Sequence, residues 1–374
     1  MPKSINYYFL SLSVLLIVLG ILFLATLSAI SSMQTFGNTN YYLFRQITSA
    51  LIGLVLSIIV FIIPLNILKK ITPILLIGVI LLSVAVFMPF IGTKFGGATR
   101  WISIGGKTLQ PSEFLKITSI LYLSALISNR FSAQSKKGWI HYFKKGYEDF
   151  IKIFIPFLLL LVVISTILYW QSNLSTLGII GVILIAVYFA SGMPIWHTIF
   201  TFGLLSATAT GLIITEEYRL RRVLTFLRPE ADPLGTGLQV KQSLIAVGSG
   251  GFWGKGLGLS VQKFNFLPQA MSDSVFAILG EETGIIGTSI LVILFLLFLY
   301  FGIKIAKSTN DKFSKLTAVG ITTWITFQAF LNISANIGLF PLGGIPLPFF
   351  SYGGSHLIAE IVGVGLLLKI SKSG

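Results

Sequence analysis

The sequence predicts an all-α polytopic integral membrane protein with about ten transmembrane helices, both termini cytoplasmic and one long extracytoplasmic loop. Three observations predict it. Charged residues make up only 10% of the 374 residues and hydrophobic residues 54%, with a mean hydropathy of +0.89, whereas soluble domains carry about 25% charge. Apolar runs long enough to cross a bilayer core, which takes about 20 residues, recur along the whole chain. Basic residues collect in alternate loops. The chain reads as one unit over residues 1–374, with the long outer loop near 216–273.

The first span is expected near residues 7–31. It follows Lys3, is longer than the apolar core of a signal peptide (about 7–15 residues) and lacks a clear small-x-small cleavage site, so it reads as a retained helix. The other spans are expected near 43–63, 71–90, 112–128, 151–169, 174–191, 195–215, 274–302, 316–338 and 355–370. Pro64 and Pro73 should punctuate the turn before the third span, with Asn66, Lys69 and Lys70 between them.

Orientation follows from the short loops. With the N-terminus inside, the inner loops hold Lys69, Lys70, Arg130, Lys136, Lys137, Lys144, Lys145, Lys152, Lys304, Lys307, Lys312 and Lys315, and the tails add Lys3, Lys369 and Lys372. The short outer loops hold Arg45, Lys94, Arg100 and Lys107. That asymmetry is the positive-inside pattern. The net charge of +15 is therefore assigned to cytoplasmic loops, and no nucleic-acid partner is expected. The absence of cysteine rules out disulfides and thiol chemistry. His141, His197 and His356 are far apart and form no HExxH pair.

This orientation gathers the unusual sequence on the outer face: residues 91–111, the loop 216–273 and residues 339–354. Asp273 stands where a polar loop meets a long apolar helix. Ser272 or Asp273 there reads first as a helix N-cap signal; the functional alternative is a general base if a hydroxyl comes within reach. Glu281 and Glu282 lie about two turns deeper, as a structural hydrogen-bonded pair or as functional groups. Glu113 and Lys116 open the fourth span at i,i+3, a spacing that permits a salt bridge; alternatively Lys116 and Arg100 form a cationic site for a phosphate-bearing ligand. The loop charges Glu216, Glu217, Arg219, Arg221, Arg222, Arg228, Glu230 and Asp232 read first as solvated. The glycine-rich run 248–258 fits neither a P-loop nor GxGxxG, and flexible or re-entrant backbone is expected. Residues 344–355, rich in Pro and Gly, read as a rigid turn, or as a polar-headgroup site using Ser351, Tyr352 and freed amides.

Together these segments resemble the SEDS family (shape, elongation, division and sporulation; FtsW/RodA/SpoVE-like). The resemblance covers nearly the whole chain. Five pieces in family order carry it: Gly-Ala-Thr-Arg-Trp-Ile at 97–102, Gln-Pro-Ser-Glu-Phe-Leu-Lys at 110–116, Leu-Pro-Gln-Ala-Met-Ser-Asp at 267–273, Gly-Glu-Glu-Thr-Gly at 280–284 and Gly-Ile-Pro-Leu-Pro-Phe-Phe-Ser-Tyr-Gly-Gly-Ser at 344–355. Residues 219–233, Gln239 and 260–263 resemble the FtsW branch more than the RodA branch.

The resemblance implies an inverting membrane glycosyltransferase of the bacterial cytoplasmic membrane. It would polymerise lipid II into peptidoglycan glycan strands at the outer face, for division or cell-shape maintenance. It implies Asp273 as the catalytic base and Arg100, Glu113, Lys116, Glu281, Ser351 and Ser355 as substrate-binding residues. A divalent cation, Mg or Mn, is implied as cofactor. Lipid II, membrane lipids and a class B penicillin-binding protein transpeptidase are implied as partners. A lipid II flippase and a non-catalytic scaffold for that transpeptidase are the alternatives. A flippase needs polar groups through the bilayer, whereas here they cluster on the outer face. The chain departs from the family pattern at Ser172, Asn173, Ser175, Gln269, Met271, Ser272 and His356.

Overall fold

The computed structural model describes residues 5–89, 91–95, 98–105, 107–130, 150–215, 217–228, 235–264 and 266–373. Lys3, Gly96, Gly97, Lys136, Lys137, Lys144, Lys145, Glu216, Glu230 and Asp232 lie outside the described residues.

Among the described residues, eight helices are long and apolar enough to cross a membrane. They are α1 (Tyr7–Phe36), α2 (Tyr41–Ile62), α3 (Leu65–Ala85), α5 (Ile155–Trp170, entered through a π-turn at Phe150–Phe154), α7 (Ile195–Ile214), α10 (Val275–Ser308), α11 (Lys312–Asn336) and α12 (Gly354–Ser373). Two further bundle helices, α4 (Pro111–Arg130) and α6 (Leu174–Ala190), complete the expected layout. The first is diluted in hydropathy by Glu113 and Lys116, and the second is 17 residues long. Local signals set several ends. The Asn6 side chain accepts from the Phe9 amide at 3.1 Å and starts α1, and Gly37 closes it in the left-handed region. The Asp311 carboxylate caps α11 through the Ser314 amide at 2.9 Å.

One expectation is corrected, and two outer segments carry secondary structure of their own. Pro73 lies inside α3 rather than in the preceding turn; Pro64 alone occupies the N-cap, and Asn66, Lys69 and Lys70 are helical. Among the described residues three short strands form a small antiparallel sheet: β1 (Gly92–Phe95), β2 (Ala98–Ile104) and β3 (Lys107–Leu109) in that order. Gly92 pairs with Ile102 and Ile102 with Leu109. The outer loop near 216–273 carries two helices of its own, α8 (Glu217–Leu227) and α9 (Thr236–Ser249).

Helices α2 and α12, α10 and α11, and α3 and α4 are the main packed pairs. The larger core cluster joins Phe9, Phe298, Trp324 and Phe349. It admits a close approach of α1 to the turn before α12: a Cβ on Gly20 would stand 2.1 Å from the Phe349 carbonyl oxygen. Only glycine fits there.

Helix α10 is broken at Gly284 (φ 64°, ψ −164°). Residues 250–256 run alongside and complete its hydrogen bonding. The Lys255 and Gly256 amides donate to the Glu281 and Glu282 carbonyls at 2.9 and 3.0 Å. The Ile285 amide donates to the Gly251 carbonyl at 2.9 Å and the Ile286 amide to that of Phe252 at 3.3 Å. Backbone freed by the break is thus paired by the chain itself, as a membrane environment demands.

Candidate active site

Asp273 sits one residue before the N-cap of α10. It does not cap the helix: Ser274 takes that position and makes no side-chain cap bond. Its surroundings are built by hydrogen bonds from three directions. Within its own segment, the Ser272 and Ser274 amides donate to the Gln269 carbonyl at 3.0 and 3.3 Å, and the Ser272 hydroxyl donates to the Gln269 side chain at 2.9 Å. Gln269 stands at φ 55°, which fits a tight turn. From the turn before α12, the Tyr352 amide donates to the Met271 carbonyl at 2.8 Å and the Ser351 hydroxyl donates to the Ser272 carbonyl. From α11, the side-chain amides of Asn332 and Asn336 donate to the Asp273 carbonyl at 2.8 and 2.9 Å.

The carboxylate itself faces Gly344, where a Cβ would lie 3.6 Å from Oδ2. Burial pushes the Asp273 carboxyl above its ordinary range. The Ser272 side chain and the positive charges of Arg222 and Arg100 pull in the opposite direction. Arg222 comes from α8 and also donates to the Leu342 carbonyl at 3.2 Å. Arg100 comes from β2 and donates to the Gln171 carbonyl at 3.1 Å and to the Ser172 carbonyl. A half-buried carboxylate with two guanidinium groups in electrostatic reach is equipped to take a proton beside an anionic leaving group.

The other expected residues are committed to contacts within the protein framework, and of these Ser351 reaches the Asp273 segment through the Ser272 carbonyl. Lys116 is buried in the bundle. Its ammonium donates to Glu113 and to Gln328, both at 2.9 Å, and lies 5.3 Å from the Trp324 ring centroid. Glu113 and Lys116 lie within electrostatic reach of His356 and Glu360, and Arg100 of Asp273. The salt-bridge alternative is thus the geometry observed for Lys116. Glu281 is fully buried and holds the 255–262 loop: it accepts from Lys255 at 2.7 Å, from the Ser260 hydroxyl, and from the Val261 and Gln262 amides at 3.2 and 3.3 Å. Ser351 is fully buried and accepts from the Leu347 amide at 2.8 Å, so the rigid-turn alternative describes its geometry. Ser355 accepts from the Gln110 amide at 2.9 Å. That bond ties the start of α12 to the start of α4.

The departures from the family pattern also have local roles. Asn173 caps α6 by accepting from the Thr176 amide at 3.4 Å, and it donates to Ser112 at 3.3 Å. Ser175 donates to the Gly343 carbonyl. His356 is buried in the bundle. Three contributors were not singled out by residue pattern: Arg222 among ordinary loop charges, and Asn332 and Asn336. Polar amides at i,i+4 in an apolar helix were the available signal for the last two.

Taken together, these features define a polytopic membrane protein in which one carboxylate, Asp273, is held by bonds from separate segments of the chain. The chain belongs to the cell cycle protein family of FtsW, RodA and SpoVE, which it matches over residues 7–374. It is 34% identical over 362 residues to stage V sporulation protein E of Bacillus subtilis, covering 96% of this chain and 95% of that one. It is 34% identical over 372 residues to the probable peptidoglycan glycosyltransferase FtsW of Geobacter metallireducens, covering 99% and 96% of the two chains. Its fold matches the RodA rod-shape-determining protein of Thermus thermophilus with a TM-score of 0.69, at 22% identity over 98% of this chain and 97% of that one. It matches a chain from a peptidoglycan synthase complex that coordinates polymerisation and crosslinking with a TM-score of 0.77, at 24% identity over 98% of each.

Proposed function

We propose that this protein is an inverting peptidoglycan glycosyltransferase that polymerises lipid II at the outer face of the cytoplasmic membrane. The observation that carries the reading is Asp273, held by three independent segments with Arg222 and Arg100 in electrostatic reach. Family membership and relatives named as peptidoglycan glycosyltransferases support it.

In the proposed step the acceptor hydroxyl gives its proton to the Asp273 carboxylate as its oxygen attacks the donor's anomeric carbon. The bond from that carbon to the polyprenyl pyrophosphate breaks, and its electrons leave with the pyrophosphate. A single displacement converts the α-linked donor to a β-linked product. Arg100 and Arg222 are assigned to the developing pyrophosphate charge. Glu113, Lys116, Glu281, Ser351 and Ser355 act in this reading by holding the framework around the site. Among the described residues there is no group of three or more His, Asp or Glu arranged to hold a metal. A divalent cation in phosphate chemistry is held by one or two carboxylates together with the substrate's phosphates, so the Mg or Mn that the family resemblance implies would be held with the donor pyrophosphate and would supply positive charge to it, and no step is routed through it.

The partner assigned to the protein is a crosslinking transpeptidase, a class B penicillin-binding protein. The fold match to a chain of a synthase complex that joins polymerisation to crosslinking supports this assignment. The test is a glycan-chain assay with lipid II in detergent, where the membrane has no two sides. Polymer from the wild type and none from Asp273→Asn is the expected outcome. Polymer at the wild-type rate from Asp273→Asn sinks the base assignment.

A further inference from the structure

The loop 250–264, between α9 and α10, is inverted relative to a loop in water. Its polar groups turn inward. Lys263 pairs with Glu282 at 3.1 Å and Lys255 with Glu281 at 2.7 Å, and Glu282 also accepts from the Gly258 and Ser260 amides at 2.9 and 3.3 Å. Both carboxylates are buried. Its large apolar groups turn outward: Phe252, Trp253, Leu257, Leu259, Val261 and Phe264 are all exposed, Trp253 to 83%. A water-facing loop shows the opposite arrangement, and a contiguous apolar patch rimmed by polar groups marks an interaction surface.

The height of this patch on the bundle identifies its partner. Lys304 and Lys307 mark the inner end of α10. A bilayer core takes about 20 helical residues, and that length counted outward from Lys304 ends close to Gly284, where α10 breaks. The loop is bonded to α10 at this same level, through Glu281, Glu282, Ile285 and Ile286. Inward of this level α10 is itself apolar and exposed, with Ile285, Ile290 and Ile293 each more than half exposed. Exposed Trp and Phe at the membrane–water boundary form the aromatic belt of membrane proteins.

We propose that the loop 250–264 is a membrane-seated element whose partner is the phospholipid interface of the outer leaflet. Two buried carboxylates staple its polar side to α10, and its aromatic and aliphatic side enters the lipid. The geometry that makes this work is specific. Gly254 stands at φ +80°, and a Cβ there would lie 2.2 Å from the Glu282 carbonyl oxygen, so the backbone passes against α10 where no other residue fits. The loop leads through the buried Leu267 into the segment that bears Asp273. The proposal concerns membrane contact and does not depend on the reaction assigned to Asp273.

The chain has no cysteine, so single-cysteine variants label uniquely. Trp253→Cys and Leu257→Cys, carrying an environment-sensitive fluorophore, are placed in phospholipid nanodiscs. Ile293→Cys serves as the in-bilayer reference, and Glu217→Cys, exposed to 84%, as the water reference. Headgroup-proximal nitroxide lipid should extinguish the label at both loop positions while aqueous iodide leaves it bright, in contrast to Glu217→Cys. Iodide quenching equal to that at Glu217→Cys overturns the proposal. So does lipid contact that disappears at both positions when a partner transpeptidase is bound, because the patch is then a protein interface. A second measurement uses the native side chain: the emission difference between wild type and Trp253→Phe in brominated phospholipid. Loss of that difference signal supports lipid seating, and an unchanged signal refutes it.

Discussion

The side-chain amide of Asn332 donates to the backbone carbonyl of Asp273 at 2.8 Å and to that of Ile345, also at 2.8 Å. One residue of α11 therefore ties the segment bearing the carboxylate to the turn that faces it. Asn336, one helical turn on, donates to the same Asp273 carbonyl at 2.9 Å. Neither asparagine reaches the carboxylate; both fix the peptide from which it projects. Asn332→Leu should leave the bundle folded but misplace Asp273. A buried hydrogen bond of this kind is worth about 1–3 kcal/mol, which in a reacting geometry corresponds to a fall in kcat of about 10- to 100-fold. Steady-state kinetics with lipid II should show that fall in kcat with little change in KM. An unchanged kcat would mean that Asn336 alone fixes the segment.

The carboxylate itself should matter more than its support. Asp273→Asn keeps the size and removes the base. General-base catalysis contributes about 10²–10⁴-fold, so glycan-chain formation should fall at least that far. Thermal stability should hold or rise slightly, because a partly desolvated charge has been removed. A variant that loses activity only in step with its stability would point to a structural role.

The pH dependence follows from the same environment. The base works ionised, and burial raises the Asp273 carboxyl while Arg222 and Arg100 pull it back. Activity should rise with pH through that raised value. Arg222→Gln removes one of the opposing charges, so the acid limb of the kcat profile should move to higher pH. A limb that stays in place, or moves to lower pH, contradicts the assigned neighbour.

Much of this was legible in the residues, and the reason differs from part to part. The ten-helix layout followed from apolar length, a property of contiguous sequence. Asp273 was visible as a carboxylate at the start of a long span. The pairing of Glu113 with Lys116 was visible as i,i+3 neighbours. The donors to the Asp273 carbonyl were not, because they lie 59 and 63 residues further along the chain and nothing local marks their partner. The small sheet at 92–109 was missed for a related reason: its strands are three to seven residues long and its register is set by pairing. The loop stapled to Glu281 and Glu282 was visible only as glycine-rich, re-entrant backbone.

The buried pair separates structure from substrate binding at Lys116. Its side chain is 1% exposed and its ammonium is committed to Glu113 and Gln328. Lys116→Met alone leaves Glu113 buried without its partner, which should cost about 3–5 kcal/mol. The unfolding temperature in detergent should drop accordingly. Adding Glu113→Leu removes the stranded charge, and apolar replacement of a buried pair is often neutral or stabilising, so the double variant should recover most of that stability. Activity decides the role. If Lys116 only holds α4 to α11, glycan synthesis should return with stability in the double variant. If it meets the pyrophosphate of the donor, the double variant should be stable and inactive, and the framework role assigned to Lys116 is then wrong.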